Sequence, residues 1–129
     1  FVARYNFRTK ELQYINAAHN PPFLYDMVEK KSTSLTNGCV GVGMLDEIPV
    51  IKKGIITMKN KSKLLCYTDG LIEIIDEKNI TNASDKIEQH IANDDSLENN
   101  IYKIIEDQKI RAGNPSIFDD ITMLGVEFY

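Results

Sequence analysis

The 129-residue chain is poor in cysteine and has no apolar run of membrane-spanning length, and each lack removes a class of function. Cys39 and Cys66 stand far apart without a Cys-x-x-Cys spacing, which indicates neither a zinc site nor a disulfide scaffold and points to a reduced, cytoplasmic setting. No stretch approaches the roughly 20 apolar residues of a spanning helix, and no signal peptide is recognisable, so no membrane contact by this segment is expected. No basic stripe with interleaved aromatics is present, which removes nucleic acid from the expected partners. Gly38, Gly41 and Gly43 crowd into "TNGCVGVGM", but no Gly-Lys-Ser/Thr ending follows, so they form no phosphate loop. They predict instead a loop whose backbone approaches something closely. Repeats and low-complexity tracts are absent. Asn60-Lys61-Ser62 and Asn82-Ala83-Ser84 match the glycosylation triplet, which carries weight only in a secreted protein.

What is present fits one ordinary domain. Hydrophobic content of 43% and charged content of 26% are near globular averages, and a chain of this length buries roughly two thirds of its unfolded surface. The formal charge of −4 conceals an asymmetry: residues 1–65 carry ten Lys/Arg against five Asp/Glu, whereas residues 66–129 carry five against fourteen. Most of those carboxylates read as solvated helix faces.

The first half is β-rich by pattern. "FVARYNF" and "LQYINAA" read as a hairpin, "FLYDMVEKKSTSL" after Pro21-Pro22 as a second pair of strands, and "VIKKGIITM" with "KLLCYT" as strands joined by a Lys-Asn-Lys turn. The period then changes. Asp95 with Glu98 suggests a capping box opening a helix whose stripe is Leu97, Ile101, Ile104, Ile105 and Gln108, ended by Gly113 and Pro115. A shorter helix near residues 84–93 places Ile87 and Ile91 on one face, with His90 as a surface neighbour. "DDITMLGVEFY" closes the chain as a strand. Strands, two helices and a last strand describe an α+β protein with helices grouped over one sheet face.

Two strands have acidic ends. Asp69 follows "KLLCYT", and Asp119-Asp120 precede the last strand. Asp-Gly at 69–70 and Asp-Asp at 119–120 are both common turn or cap chemistry. If the two strands are antiparallel neighbours, however, the carboxylates gather at one sheet edge and repel unless a hard divalent cation sits between them.

The ordered set "INAAHNPP" (15–22), "LTNGCVGVGM" (35–44), "LLCYTDGLIE" (64–73) and "FDDITMLGV" (118–126) resembles the SpoIIE/RsbU-type serine phosphatases, a bacterial branch of the metal-dependent PPM protein phosphatases. The resemblance implies the C-terminal part of an α/β/β/α sandwich and metal-dependent hydrolysis of phosphoserine or phosphothreonine. It implies that Asp69 and Asp119, with Asp120 beside them, ligate Mn²⁺ or Mg²⁺ in a two-metal centre. Gly70 would permit the turn that holds Asp69 outward, and Thr68 would buttress it. His19 and Asn20 would fix a loop by hydrogen bonding. Neither cysteine is needed, and Cys66 reads as a small core residue.

The pattern also departs from the family. Ala18 stands where the family has glycine, and the glycine-rich segment lacks its usual proline. The family's N-terminal Asp-Gly and Gly-His-Gly elements have no counterpart, so residues 1–129 are expected to be the C-terminal portion of one phosphatase domain, poorly active alone, with open sheet edges that favour a homodimer. The implied parent carries an upstream sensor domain and acts on a phosphorylated anti-anti-sigma-type protein in sigma-factor regulation. The competing reading is a catalytically silent pseudophosphatase that binds such a partner.

Overall fold

The computed structural model describes residues 1–76, 83–115, 117 and 119–129. The Asn82-Ala83-Ser84 triplet and the Phe118 that opens the last motif lie partly outside that range.

Two sheets form the framework. In the first, β1 (Val2–Asn6) and β2 (Glu11–Ala17) make the expected antiparallel hairpin, Val2 opposite Ile15 and Asn6 opposite Glu11. The Asn6 carboxamide accepts from the Arg8 and Thr9 amides to close it. On the other edge of β2, β6 (Gly54–Thr57) pairs antiparallel and the two-residue β5 (Gly38–Cys39) pairs parallel. The second sheet runs β4 (Lys31–Ser34), β3 (Phe23–Asp26), β7 (Ser62–Tyr67), β8 (Met123–Phe128), every pairing antiparallel. The expected β6–β7 hairpin does not form. Residues 58–61 carry the chain between sheets, because β6 finds its ladder on Glu11–Tyr14.

Alternation along β2 explains the stacking. Leu12, Tyr14 and Asn16 point inward, and the first two pack with Leu24, Leu35, Met58, Leu64 and Phe128 between the sheets. β7 is buried on both faces, so Leu64 serves that core while Leu65 and Tyr67 serve a second one. The second core is roofed by helices on the opposite face of the sheet.

Three helices, rather than the expected two, supply that roof: α1 (Asp69–Asp76), α2 (Ala83–Ile91) and α3 (Leu97–Asp107). α1 is dictated by Leu71, Ile74 and Ile75 at i, i+3 and i+4, all at most 2% exposed. Burying those three side chains is worth about 1.5–3 kcal/mol each. In α3 the cap is Ser96, whose hydroxyl accepts from the Asn99 amide, while Asp95 instead pairs with Lys103 at 2.6 Å. The helix stops before Gly113: Lys109 takes a left-handed φ of 55°, and the amides of Lys109 and Ile110 bond back to Glu106 and Ile105. His90 is more than a surface neighbour, since its ring bridges the Lys86 carbonyl and Asp107 across α2 and α3.

The loop between β5 and β6 is apolar yet uncovered. Val42 is 81% exposed and Met44 70%, with Leu45, Val50 and Ile51 also open. The outer face of the first sheet likewise presents Val2 and Ile55 to solvent. Among the described residues no helix is long and apolar enough to cross a membrane.

Candidate metal centre

The two acidic strand ends meet. β7 and β8 are antiparallel neighbours with Tyr67 opposite Met123, and the ladder continues one step through the Thr68 amide to the Thr122 carbonyl at 3.0 Å. The Thr68 hydroxyl then clips the segments together, donating to the Asp120 carbonyl at 3.1 Å and accepting from the Thr122 amide at 2.9 Å. The buttressing role expected of Thr68 thus has a concrete form: one hydroxyl holds both carboxylate-bearing segments.

Asp69 and Gly70 do not form a hairpin turn. They open α1, where Asp69 occupies the first turn and its carboxylate meets the favourable end of the helix dipole. Gly70 is required by proximity rather than by a left-handed φ, since a Cβ there would lie 2.8 Å from the Asp120 carbonyl oxygen and 3.3 Å from that of Asp119. Any larger residue would push the acidic segments apart.

Asp69, Asp119 and Asp120 are all exposed. One oxygen of Asp69 accepts from the Gly70 amide at 3.2 Å, and one of Asp119 from the Asp120 amide at 2.8 Å, leaving the second oxygen of each without a partner among the described residues. Free carboxylate oxygens at one strand edge fit a hard divalent ion that retains several waters, as Mg²⁺ does when one or two carboxylates hold it. Among the described residues, however, no group of three or more His, Cys, Asp or Glu side chains converges into a complete cage. The backbones of positions 69, 119 and 120 are brought together, but a full two-metal ligand set is not.

The neighbouring loop is fixed by a residue that motif reading passed over. Asn16, only 6% exposed, accepts from the His19 amide at 2.8 Å and donates to the Leu35 carbonyl at 3.2 Å. Its alternation with Leu12 and Tyr14 marked it as an inward-facing polar residue, which is the signal that identifies such a post. His19 contributes its amide, while its ring Nδ1 donates to the Asn20 carbonyl at 2.6 Å. Gly38 makes the close approach expected of the glycine-rich loop: a Cβ there would sit 1.7 Å from the Asn16 carbonyl oxygen. Ala18, in the family's glycine position, adopts φ 60°. Cys66 flanks the inter-sheet core, and burial pushes its thiol pKa up, which suits an inert residue.

The family model described as stage II sporulation protein E (SpoIIE) matches residues 1–129. The chain belongs to the SpoIIE family. Its fold is that of solved SpoIIE structures: the phosphatase domain of the cell fate determinant SpoIIE from Bacillus subtilis superposes with TM-score 0.65 at 15% identity, over 97% of this chain and 53% of that one. A second structure, the PP2C phosphatase domain with a fragment of the regulatory domain of Bacillus subtilis SpoIIE, gives 0.64 at 14% identity over 95% and 35%. The RsbU and RsbW domains of Rv1364c from Mycobacterium tuberculosis align over 55% of this chain and 20% of that one, with 26% identity and TM-score 0.46. Among curated proteins no sequence match is found. The SpoIIE-family chain therefore spans about half the length of the phosphatase domain structure it matches, and the mixed α+β layers seen here are those of the PP2C fold.

Proposed function

We propose that this chain forms the C-terminal portion of a metal-dependent protein phosphatase domain that hydrolyses phosphoserine or phosphothreonine on a partner protein. The observation that carries the reading is the Thr68 clip, which sets Asp69 and the Asp119-Asp120 pair at one sheet edge in a chain matched end to end by the SpoIIE family model. Bound Mn²⁺ or Mg²⁺ would supply an activated water and offset the phosphoryl charge. Asp69 and Asp119 hold the ions through their free oxygens, with Asp120 as an adjoining donor. Thr68 fixes the spacing, and Gly70 permits it. The remaining ligation belongs to groups outside this segment. The substrate is a phosphorylated regulator of the anti-anti-sigma type, in the cytoplasm, under the control of an upstream sensor domain, as the ordered motifs of residues 15–22, 35–44, 64–73 and 118–126 suggest by their resemblance to the family.

In the full-length parent protein, Asp69→Asn and Asp119→Asn each reduce Mn²⁺-dependent release of phosphate from a phosphoserine protein by about 100-fold or more, with unchanged circular dichroism. Full activity in either variant defeats the ligand assignment. The absence of a three-carboxylate cage among the described residues favours a second reading, a silent module that binds the phosphorylated partner. Tight partner binding by the wild-type parent without any turnover in Mn²⁺ selects that reading.

A further inference from the structure

We propose that Arg111 grips the phosphoryl group of the substrate at the acidic sheet edge, an inference that rests on the phosphatase reading above. A cavity of about 320 Å³ adjoins that edge, and Arg111, Asn114, Asp119 and Asp120 line it together with Ile110 and Ile117. Its volume lies at the small end of ligand pockets, a size suited to a phosphorylated side chain rather than to a large cofactor. Arg111 is the only cation among the described residues of its walls.

Two observations single it out. The chain has three arginines, and Arg111 is the sole one beyond Arg8, in a half that carries fourteen acidic residues. A dianionic ester approaching such a surface is repelled unless a fixed positive charge meets it. Arg111 makes no ion pair among the described residues, although two carboxylates share its cavity; the ion pairs found there are Lys30–Asp94, His90–Asp107 and Lys103–Asp95. A guanidinium placed to neutralise Asp119 or Asp120 would lie within pairing distance of one of them. This one is left available, and its planar fork matches two phosphoryl oxygens where a lysine would offer a point charge.

The backbone beneath Arg111 is held firmly enough for recognition. Its carbonyl accepts from the Asn114 amide at 3.2 Å, and the Asn114 carboxamide donates back to the Lys109 carbonyl at 2.8 Å. Ile110, Ile117 and Ile121 pack on the helix-side core and anchor the loop from both flanks. Since Arg111 itself is exposed, its replacement leaves that packing intact.

The test uses the full-length parent protein with Arg111→Ala and Arg111→Lys. We expect Arg111→Ala to raise KM at least tenfold for both a phosphoserine protein and p-nitrophenyl phosphate with kcat changed less than threefold, and Arg111→Lys to recover part of the loss. Without metal, inorganic phosphate should shift the Arg111 side-chain Nε–H resonance in the wild-type NMR spectrum. An unchanged KM for p-nitrophenyl phosphate overturns the proposal, whether or not the protein substrate is affected, as does a phosphate titration that leaves that resonance in place. A wild-type parent that shifts the resonance but turns over neither substrate retains the anion grip and discards the phosphatase reading.

Discussion

Lys63 offers the sharpest test of how the fold is held. It lies in the middle of the second sheet with 0% of its surface exposed, and its ammonium donates to the Asn93 carbonyl (3.0 Å), the Asn93 side-chain oxygen (3.2 Å), the Asp95 carbonyl (3.1 Å) and the Asn100 side-chain oxygen (2.8 Å). The Tyr25 ring lies 5.4 Å below it. One cation thus ties β7 to the connection between α2 and α3. Lys63→Met keeps the length of the side chain and removes its charge. Asn100, also 0% exposed, then keeps an acceptor that water cannot reach, while Asn93 and Asp95 lie nearer solvent and rehydrate more readily. A stranded buried acceptor costs about 1–3 kcal/mol, and losing charge-assisted bonds adds to it. Against this stands the release of a burial penalty, which holds the Lys63 pKa below its ordinary value despite the nearby Glu127 and Asp95. The expected net loss is about 2–4 kcal/mol, a substantial part of the 5–15 kcal/mol typical of a domain. For a chain of this size that lowers Tm by roughly 8–16 °C, measured by far-ultraviolet circular dichroism and checked by urea unfolding. Adding Asn100→Leu to Lys63→Met should return part of the loss, because both stranded partners are then apolar. A single-variant loss below about 1 kcal/mol would refute the buried-acceptor argument.

Two further perturbations test local claims. Ala18→Gly should raise stability by up to about 1 kcal/mol in urea titrations, because position 18 sits at φ 60°, where alanine is strained and glycine is not; a loss of stability would refute the strain. Glu127 accepts from the Tyr129 hydroxyl and the Leu97 amide, which together outweigh burial and hold its carboxyl below the ordinary 4.5. The unfolded chain therefore binds the proton more readily, so this contribution is present above about pH 4.5 and is lost as pH falls through the folded pKa. Urea midpoints measured from about pH 6 down to about pH 3 should fall less steeply in Glu127→Gln than in the wild type, and identical slopes would count against it.

Much of the architecture was legible because its signals are periodic. Alternation in "LQYINAA" gave away β2 and the Ile87/Ile91 spacing gave away α2, whereas the order of elements left the pairing of β7 with β8 as a condition that only their long-range register decides. α1 was not legible: "LIEIID" continues the apolar run of β7, and Asp-Gly reads as a turn wherever a helix dipole and a close backbone neighbour are invisible. The β6 pairing was missed for a related reason, since adjacency in sequence favours a hairpin and the competing ladder on β2 is long-range. At the candidate site, motif order put forward Asp69, Asp119 and Thr68, whose segments lie side by side, whereas Asn16 was hidden inside a motif whose histidine draws attention first. Arg111 had no motif at all; only the cavity it shares with the two carboxylates brings it forward.

The uncovered loop between β5 and β6 affects how any of these variants can be assayed. Val42, Met44, Leu45, Val50 and Ile51 give a solvatochromic dye such as ANS or SYPRO Orange somewhere to adsorb while every layer is still intact. Fluorescence should therefore begin above the usual native baseline, so that a dye-based melt shows a smaller rise on unfolding than the loss of the buried cores alone would give.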